Sequence, residues 1–176
     1  MSTLLLNQKR RIHSPLTGCV TGHMITLSQK ENFLIKDMQD QEKLCIEKYG
    51  RYESQAKDSV LKNLFGSIKR SEEQHWNSLN QLLQGQVPKV NTNDTAGKDY
   101  SPTATYVGRF DEEDKTFDAF LCTDAISTEK YVSSAYNFDL FQFGNSDVRR
   151  LLNDILTEEQ NHAEKIYKYK VANQMA

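Results

Sequence analysis

The sequence predicts an all-α fold, a four-helix bundle of two antiparallel helical hairpins joined by a long crossover. The first supporting observation is composition, since 176 residues suit one domain and only 8 Gly and 3 Pro interrupt a chain rich in Glu, Lys, Gln and Leu. The second is an internal duplication, and the third is the recurrence of apolar residues at steps of three, four and seven in four segments.

The duplication appears when the chain is shifted by 87 residues, which places Phe33 on Phe120 and aligns the two halves without a gap. The matched residues are chemically distinctive rather than generic leucines. They include Glu42 with Glu129, Tyr49 with Tyr136, Glu72 with Glu159, and His75 with His162. An internal repeat of this kind predicts that the two halves share one architecture.

The first half predicts a hairpin over residues 30–84. Its first helix is expected from about residue 31 to residue 56. Its second helix begins after Asp58, a favourable N-cap, and extends to about Leu83, where Gly85 and Pro88 end it. Residues 1–28 are expected to form an irregular N-terminal arm ahead of a bundle that spans residues 29–173.

The second half predicts a hairpin over residues 111–172. A helix is expected from about residue 111 to residue 143, Gly144 breaks it, and Asn145 or Ser146 caps a last helix that reaches about Val171. Residues 85–110 between the hairpins are rich in Asn, Thr, Gly and Pro, and predict a crossover loop.

Charge and hydropathy argue against several classes of protein. The formal net charge of −2 leaves no basic footprint for nucleic acid. No apolar run approaches the roughly 18–20 residues that cross a bilayer, and the start lacks the apolar region of a signal peptide, so a cytoplasmic protein is expected. The three cysteines form no C-x-x-C pair. Cys45 and Cys122 are expected to be small buried side chains, and Cys19 lies in the arm near His13 and His23.

Acidic residues interrupt the apolar stripes of the predicted helices. In the second helix Glu72 and His75 fill a gap between Ile68 and Leu79, and the fourth helix repeats this arrangement with Glu159 and His162. Glu42 and Glu129 occupy the apolar faces of the first and third helices. Four buried carboxylates without compensation would repel each other severely.

Two divalent cations would balance this charge, because four carboxylates carry −4 and two imidazoles add donors without charge. In Glu-x-x-His both side chains lie on one face of a helix, about one turn apart. The expected metal ligands are Glu42, Glu72, His75, Glu129, Glu159 and His162. Two alternatives stay open, a metal-free network of protonated acids and a metal site with a purely structural role. Glu73 and Glu158 are expected to be solvated.

At these residues the sequence, over about residues 30–172, resembles the ferritin-like superfamily of di-metal carboxylate proteins. The resemblance implies two ions of iron or manganese, bridged by Glu72 and Glu159, with Glu42 and Glu129 as terminal carboxylates. His75 and His162 would each ligate one ion. Tyr49 and Tyr136, each seven residues after a first-helix glutamate, would orient carboxylates across the bundle and act in redox steps.

The segments TEKYVSSAYN and VRRLLNDILTEEQNHAEKIYKY are similar to the coat F-like spore coat proteins of endospore-forming bacteria. That resemblance implies a ferritin-like arrangement of helices and deposition in or near the spore coat. Many members of the group lack ligand residues, and this chain keeps the whole set. The missing C-x-x-C pair argues against a full rubrerythrin, and the lack of a fifth-helix segment argues against a storage cage.

Two functions from different classes follow from these resemblances. In the first, the protein oxidises ferrous iron or removes peroxide at its metal pair, with oxygen or peroxide as the second reactant. In the second, it is a structural spore coat protein with a residual or stabilising metal site. A homodimer and contacts with other spore coat proteins are compatible with both, and no nucleic-acid or membrane partner is expected.

Overall fold

The computed structural model describes residues 24–89, 96–107 and 112–176, and all regular secondary structure within these ranges is helical. The all-α prediction is therefore confirmed. Within these described ranges, five helices and one 3-10 turn follow each other. They are α1 (Gln29–Gln55), α2 (Ser59–Leu83), α3 (Ala96–Asp99), α4 (Glu112–Asp139), the 3-10 turn Leu140–Gln142, and α5 (Ser146–Ala172). None of these helices combines the length and apolarity that a bilayer-spanning segment needs.

Most helix ends lie close to their predicted positions because local capping chemistry sets them, but α4 ends at Asp139, four residues before its predicted end, and the 3-10 turn replaces its last turn. Ser28 and Glu31 form a reciprocal capping box at the start of α1. Asp58 caps α2 through the backbone N–H of Val60, as expected, and Asn145 caps α5. After α2 the chain turns at Gly85, whose φ of 79° favours a residue without a Cβ atom.

The helices pair as two hairpins, α1 against α2 and α4 against α5, and further contacts join α1 to α4 and α2 to α5. All four long helices contribute fully buried side chains to one core, including Met38, Leu61, Cys122 and Tyr169. Cys45 and Cys122 are buried and free, which confirms the prediction made for them. Cys19, His13 and His23 lie outside the described residues.

The crossover differs from the prediction of a loop, because α3 forms one helical turn within it. Tertiary contacts hold this turn, since the Lys168 ammonium on α5 donates to the carbonyls of Gly97 and Lys98. A Cβ atom on Gly97 would come within 2.7 Å of Asn161 on the same helix. Helix α3 therefore depends on its close contact with α5, and the spacing of apolar residues along the sequence does not reveal such a contact.

The duplication extends to a pair of contacts between the hairpins. Glu31, at the start of α1, accepts a hydrogen bond from the backbone N–H of Gly144 in the turn of the second hairpin. Its equivalent, Asp118 on α4, accepts from the backbone N–H groups of Lys57 and Asp58 in the turn of the first hairpin, at 2.8 and 2.9 Å. Each hairpin thus holds the turn of the other through one carboxylate.

We expect the two contacts to differ in strength because Asp118 is fully buried and Glu31 is not. Asp118→Ala leaves two backbone donors and the Tyr106 hydroxyl without their acceptor, which should lower the free energy of unfolding by about 3–5 kcal/mol. Glu31→Ala removes a solvent-accessible cap and should cost about 1 kcal/mol. Urea unfolding of both variants measures the difference, and equal losses would contradict this explanation.

Candidate metal centre

The four long helices place all six predicted ligands in the interior. Each of these side chains is at most 3% exposed. They enter from four directions, because α1 and α4 each carry one glutamate and α2 and α5 each carry a Glu-x-x-His pair. The residues are Glu42 on α1, Glu72 and His75 on α2, Glu129 on α4, and Glu159 and His162 on α5.

The six residues form two overlapping clusters, and each cluster could hold one metal ion. The first cluster contains Glu42, Glu72, His75 and Glu159, and the second cluster contains Glu72, Glu129, Glu159 and His162. Within each cluster the nearest ligand atoms all lie within 4.8 Å of one another. Glu72 and Glu159 belong to both clusters, so each can offer one oxygen to either side.

Both imidazoles face the acids through Nδ1. The Nδ1 atom of His75 lies 3.2 Å from Glu72, 3.0 Å from Glu159 and 3.6 Å from Glu42. The Nδ1 atom of His162 lies 3.1 Å from Glu72, 3.7 Å from Glu159 and 3.7 Å from Glu129. Two donors at right angles about 2.1 Å from one ion would lie about 3 Å apart, so these separations suit shared coordination.

Several of these atoms have no hydrogen-bond partner among the described residues. They are Glu42 Oε2, Glu72 Oε1, Glu129 Oε2, both carboxylate oxygens of Glu159, and His162 Nδ1. Buried polar atoms are nearly always paired, so a group of unpaired acceptors at one place calls for a cation. Oxygen and imidazole donors of this kind suit iron, manganese and related divalent ions. The residues present therefore fit a pair of metal ions.

Without metal, protons would balance the charge. Burial raises the pKa of Glu42 well above its usual range, and burial with repulsion from Glu159 raises the pKa of Glu129 to about 8. Burial also opposes ionisation of Glu72, but the imidazoles of His162 and His75, whose Nδ1 atoms lie 3.1 and 3.2 Å away, outweigh it and lower the pKa of Glu72 to about 2.

The remaining acid and the two imidazoles complete this balance. The pKa of Glu159 is lowered despite its burial and the nearby charge of Glu72, because close contacts with Glu129, His162 and His75 outweigh both. Burial alone would lower the pKa values of His75 and His162, but close contacts with the surrounding acids hold both well above the usual range. Protons on Glu42, Glu129 and the two imidazoles would therefore offset part of the negative charge of the metal-free site.

Two tyrosine hydroxyls bond the outer carboxylates across the bundle. The Tyr49 hydroxyl donates to Glu129 Oε1, and the Tyr136 hydroxyl donates to Glu42 Oε1. Both tyrosines are fully buried. Each hydroxyl occupies one oxygen of its glutamate and leaves the other facing the clusters, so the two tyrosines can set the orientation of Glu42 and Glu129.

The expectation for Glu158 is wrong, while the one for Glu73 is confirmed. Glu73 is exposed and lies 4.0 Å from Lys69. Glu158 is 33% exposed, and its Oε2 atom contacts Nε2 of the buried His75. That hydrogen bond lowers the pKa of Glu158. On α5 this side chain flanks the buried stripe, and the packing of α5 against α2 brings it to the outer edge of the imidazole.

Comparison with known families gives a match to the C-terminal third of the chain. Residues 118–175 match the family model of the Coat F domain. The matched segment contains most of α4 and all of α5, and therefore Glu129, Tyr136, Glu159 and His162. No curated protein matches the chain.

Proposed function

We propose that this chain is a spore coat protein of the coat F type that holds two divalent metal ions, iron or manganese, inside a ferritin-like four-helix bundle. The similarity of residues 118–175 to the Coat F domain supports the coat assignment. One observation carries the metal assignment: two clusters of buried donors share Glu72 and Glu159, and most of their carboxylate oxygens lack a hydrogen-bond partner.

Each residue has a distinct part in this proposal. Glu72 and Glu159 would bridge the two ions, because each belongs to both clusters. Glu42 and Glu129 would each bind one ion through the oxygen that its tyrosine leaves free. His75 and His162 would each supply Nδ1 to one ion. The arrangement of α1, α2, α4 and α5 as two duplicated hairpins supports the ferritin-like assignment.

The protein's own residues keep the site dry and fixed. Complete burial of the six donors excludes bulk water, which strengthens each electrostatic contact. The hydroxyls of Tyr49 and Tyr136 hold the outer carboxylates. When bound, iron or manganese would supply one-electron redox chemistry toward oxygen or peroxide.

Crystals grown with Mn²⁺ test the location of the ions. Anomalous scattering should show two peaks, with Glu72 and Glu159 between them. A single peak at the protein surface, or no peak inside the bundle, would contradict the metal assignment and favour the metal-free network of protonated acids.

Fractionation of spores tests the coat assignment. In an endospore-forming host that makes this protein, immunodetection should find it in the coat extract of purified spores. Recovery only from the soluble fraction of growing cells would contradict this part of the proposal and leave the metal assignment standing.

A second candidate is an oxidoreductase that oxidises ferrous iron or removes peroxide. The observation that favours it is the contact of a phenol with a candidate ligand carboxylate on each side of the site. In the purely structural alternative, metal removal changes stability and no activity is lost.

Tyr49→Phe separates these alternatives. We expect the metal content to stay intact, because the Tyr49 hydroxyl bonds Glu129 and is not itself a proposed metal ligand. Any oxidation of Fe²⁺ should slow by about 10-fold or more, since a residue that orients a ligand typically contributes that much. Tyr169→Phe is the matched control, because this buried hydroxyl bonds Asp58 away from the clusters. Stopped-flow oxidation rates give the measurement, and equal rates in both variants would assign Tyr49 to packing.

A further inference from the structure

The two halves of the chain carry different residues at one position beside the candidate metal centre. Every proposed ligand and both tyrosines have an identical equivalent in the other half of the chain. The residue just before each bridging glutamate does not, because Glu158 precedes Glu159 and Ser71 precedes Glu72. The two halves therefore differ by one carboxylate at a position that touches the site.

Glu158 makes its direct contact with the first cluster, through His75. Its carboxylate accepts a hydrogen bond from Nε2–H of His75, while Nδ1 of the same ring faces Glu42, Glu72 and Glu159. This contact fixes which nitrogen carries the outer proton and keeps Nδ1 directed at the cluster. It also crosses between helices, since Glu158 lies on α5 and His75 on α2.

The second cluster lacks this arrangement. Within the described part of the chain, the ion pairs of His162 run through Nδ1 to Glu72, Glu129 and Glu159, all members of the cluster itself. The residue equivalent to Glu158 is Ser71, and a serine hydroxyl brings no negative charge. An anionic acceptor raises the basicity of a ligating imidazole, and its loss typically costs about 10–100-fold in metal affinity.

We infer that Glu158 is a positioning residue that makes the two halves of the centre unequal, so that the first cluster binds a divalent ion more tightly than the second. This inference rests on the proposed metal site. The first metal ion would then occupy the first cluster. The duplicated ligand set alone would not produce this order, since six matched ligands would otherwise form two equivalent clusters.

Variants that keep one cluster each allow a direct comparison. Glu129→Ala removes the outer carboxylate of the second cluster, and Glu42→Ala removes the equivalent group of the first, so the damage is matched. Each variant is titrated with Co²⁺, whose visible absorption reports its coordination. We expect Glu129→Ala, which keeps His75 with Glu158, to bind Co²⁺ about 10–100-fold more tightly than Glu42→Ala.

Adding Glu158→Ser to both variants measures the effect of the Glu158 carboxylate on metal affinity. The substitution copies the residue found at the equivalent position, and it should weaken binding about 10–100-fold in the Glu129→Ala background and change little in the Glu42→Ala background. Glu158→Gln, which keeps an acceptor without the charge, should restore part of the loss. Glu73→Ser is the control, because it removes an exposed acid next to a proposed ligand without touching a histidine.

The outcomes separate this inference from the proposed function. If Glu158→Ser weakens both backgrounds equally, or neither, the inference is overturned while the metal site stands. If the single-cluster variants do not bind, the complete protein is titrated, and Glu158→Ser must weaken one of its two binding steps for the inference to survive. If the complete protein binds no Co²⁺, Mn²⁺ or Fe²⁺, the proposed function fails and this inference with it.

Discussion

Replacing Glu159 with alanine is expected to abolish binding of at least one metal ion, because this carboxylate belongs to both clusters. The loss of affinity should exceed about 100-fold, since even an outer-shell partner contributes about 10–100-fold. Glu72→Ala should have the same effect, because the duplication makes the two residues equivalent. Metal analysis after equilibrium dialysis measures the result.

A control separates ligand loss from misfolding. Glu73→Ala changes an exposed acid adjacent to Glu72 and should keep the full metal content. Glu159→Gln keeps the volume of the side chain and tests whether charge rather than packing is responsible. Two ions per chain retained in both Glu72→Ala and Glu159→Ala would refute the assignment of bridging ligands.

The second large effect concerns pH. Metal binding requires Glu42 and Glu129 ionised and a free electron pair on Nδ1 of His75 and His162. In the metal-free site all four groups favour their protonated forms, since the pKa of Glu129 is raised to about 8 and those of Glu42 and the two histidines are raised well above their usual ranges. Binding therefore expels protons, and affinity should rise as pH increases.

The size of this effect follows from the number of protons. Each proton that one ion displaces lowers its affinity about 10-fold for each unit of decreasing pH, so a fall in affinity toward acidic pH is expected. Calorimetric titrations in buffers of different ionisation enthalpy count the protons directly. Affinity that does not change between pH 6 and pH 8 would contradict the proposed exchange of protons for metal.

The fold was largely predictable because its determinants are local in sequence. Apolar spacing defines the helices, and capping residues such as Asp58 and Asn145 set their ends to within a few residues. The burial of the six candidate ligands was predictable for the same reason. A buried stripe has a fixed helical period, and an acid that interrupts it is identified by position alone.

Features that depend on the packing of one helix against another were not predictable. The contact between Glu158 and His75 depends on how α5 lies against α2, and position on its own helix alone suggested a solvated side chain. The helical turn at α3 depends on Lys168 and a close approach at Gly97. The contact of Asp118 with the turn at Lys57 could have been predicted from one feature of the sequence. The 87-residue shift aligns Asp118 with Glu31, which caps α1 and contacts the turn of the other hairpin.

Metal content per chain tests the central claim most directly. The untagged protein is dialysed against Fe²⁺ under anaerobic conditions and, separately, against Mn²⁺, then freed of loose ions and analysed by plasma mass spectrometry. The proposal predicts close to two tightly held ions per chain with at least one of these metals, one for each cluster. A value near zero under both conditions would show that protons and hydrogen bonds hold the buried acids, and would leave a metal-free spore coat protein as the remaining account.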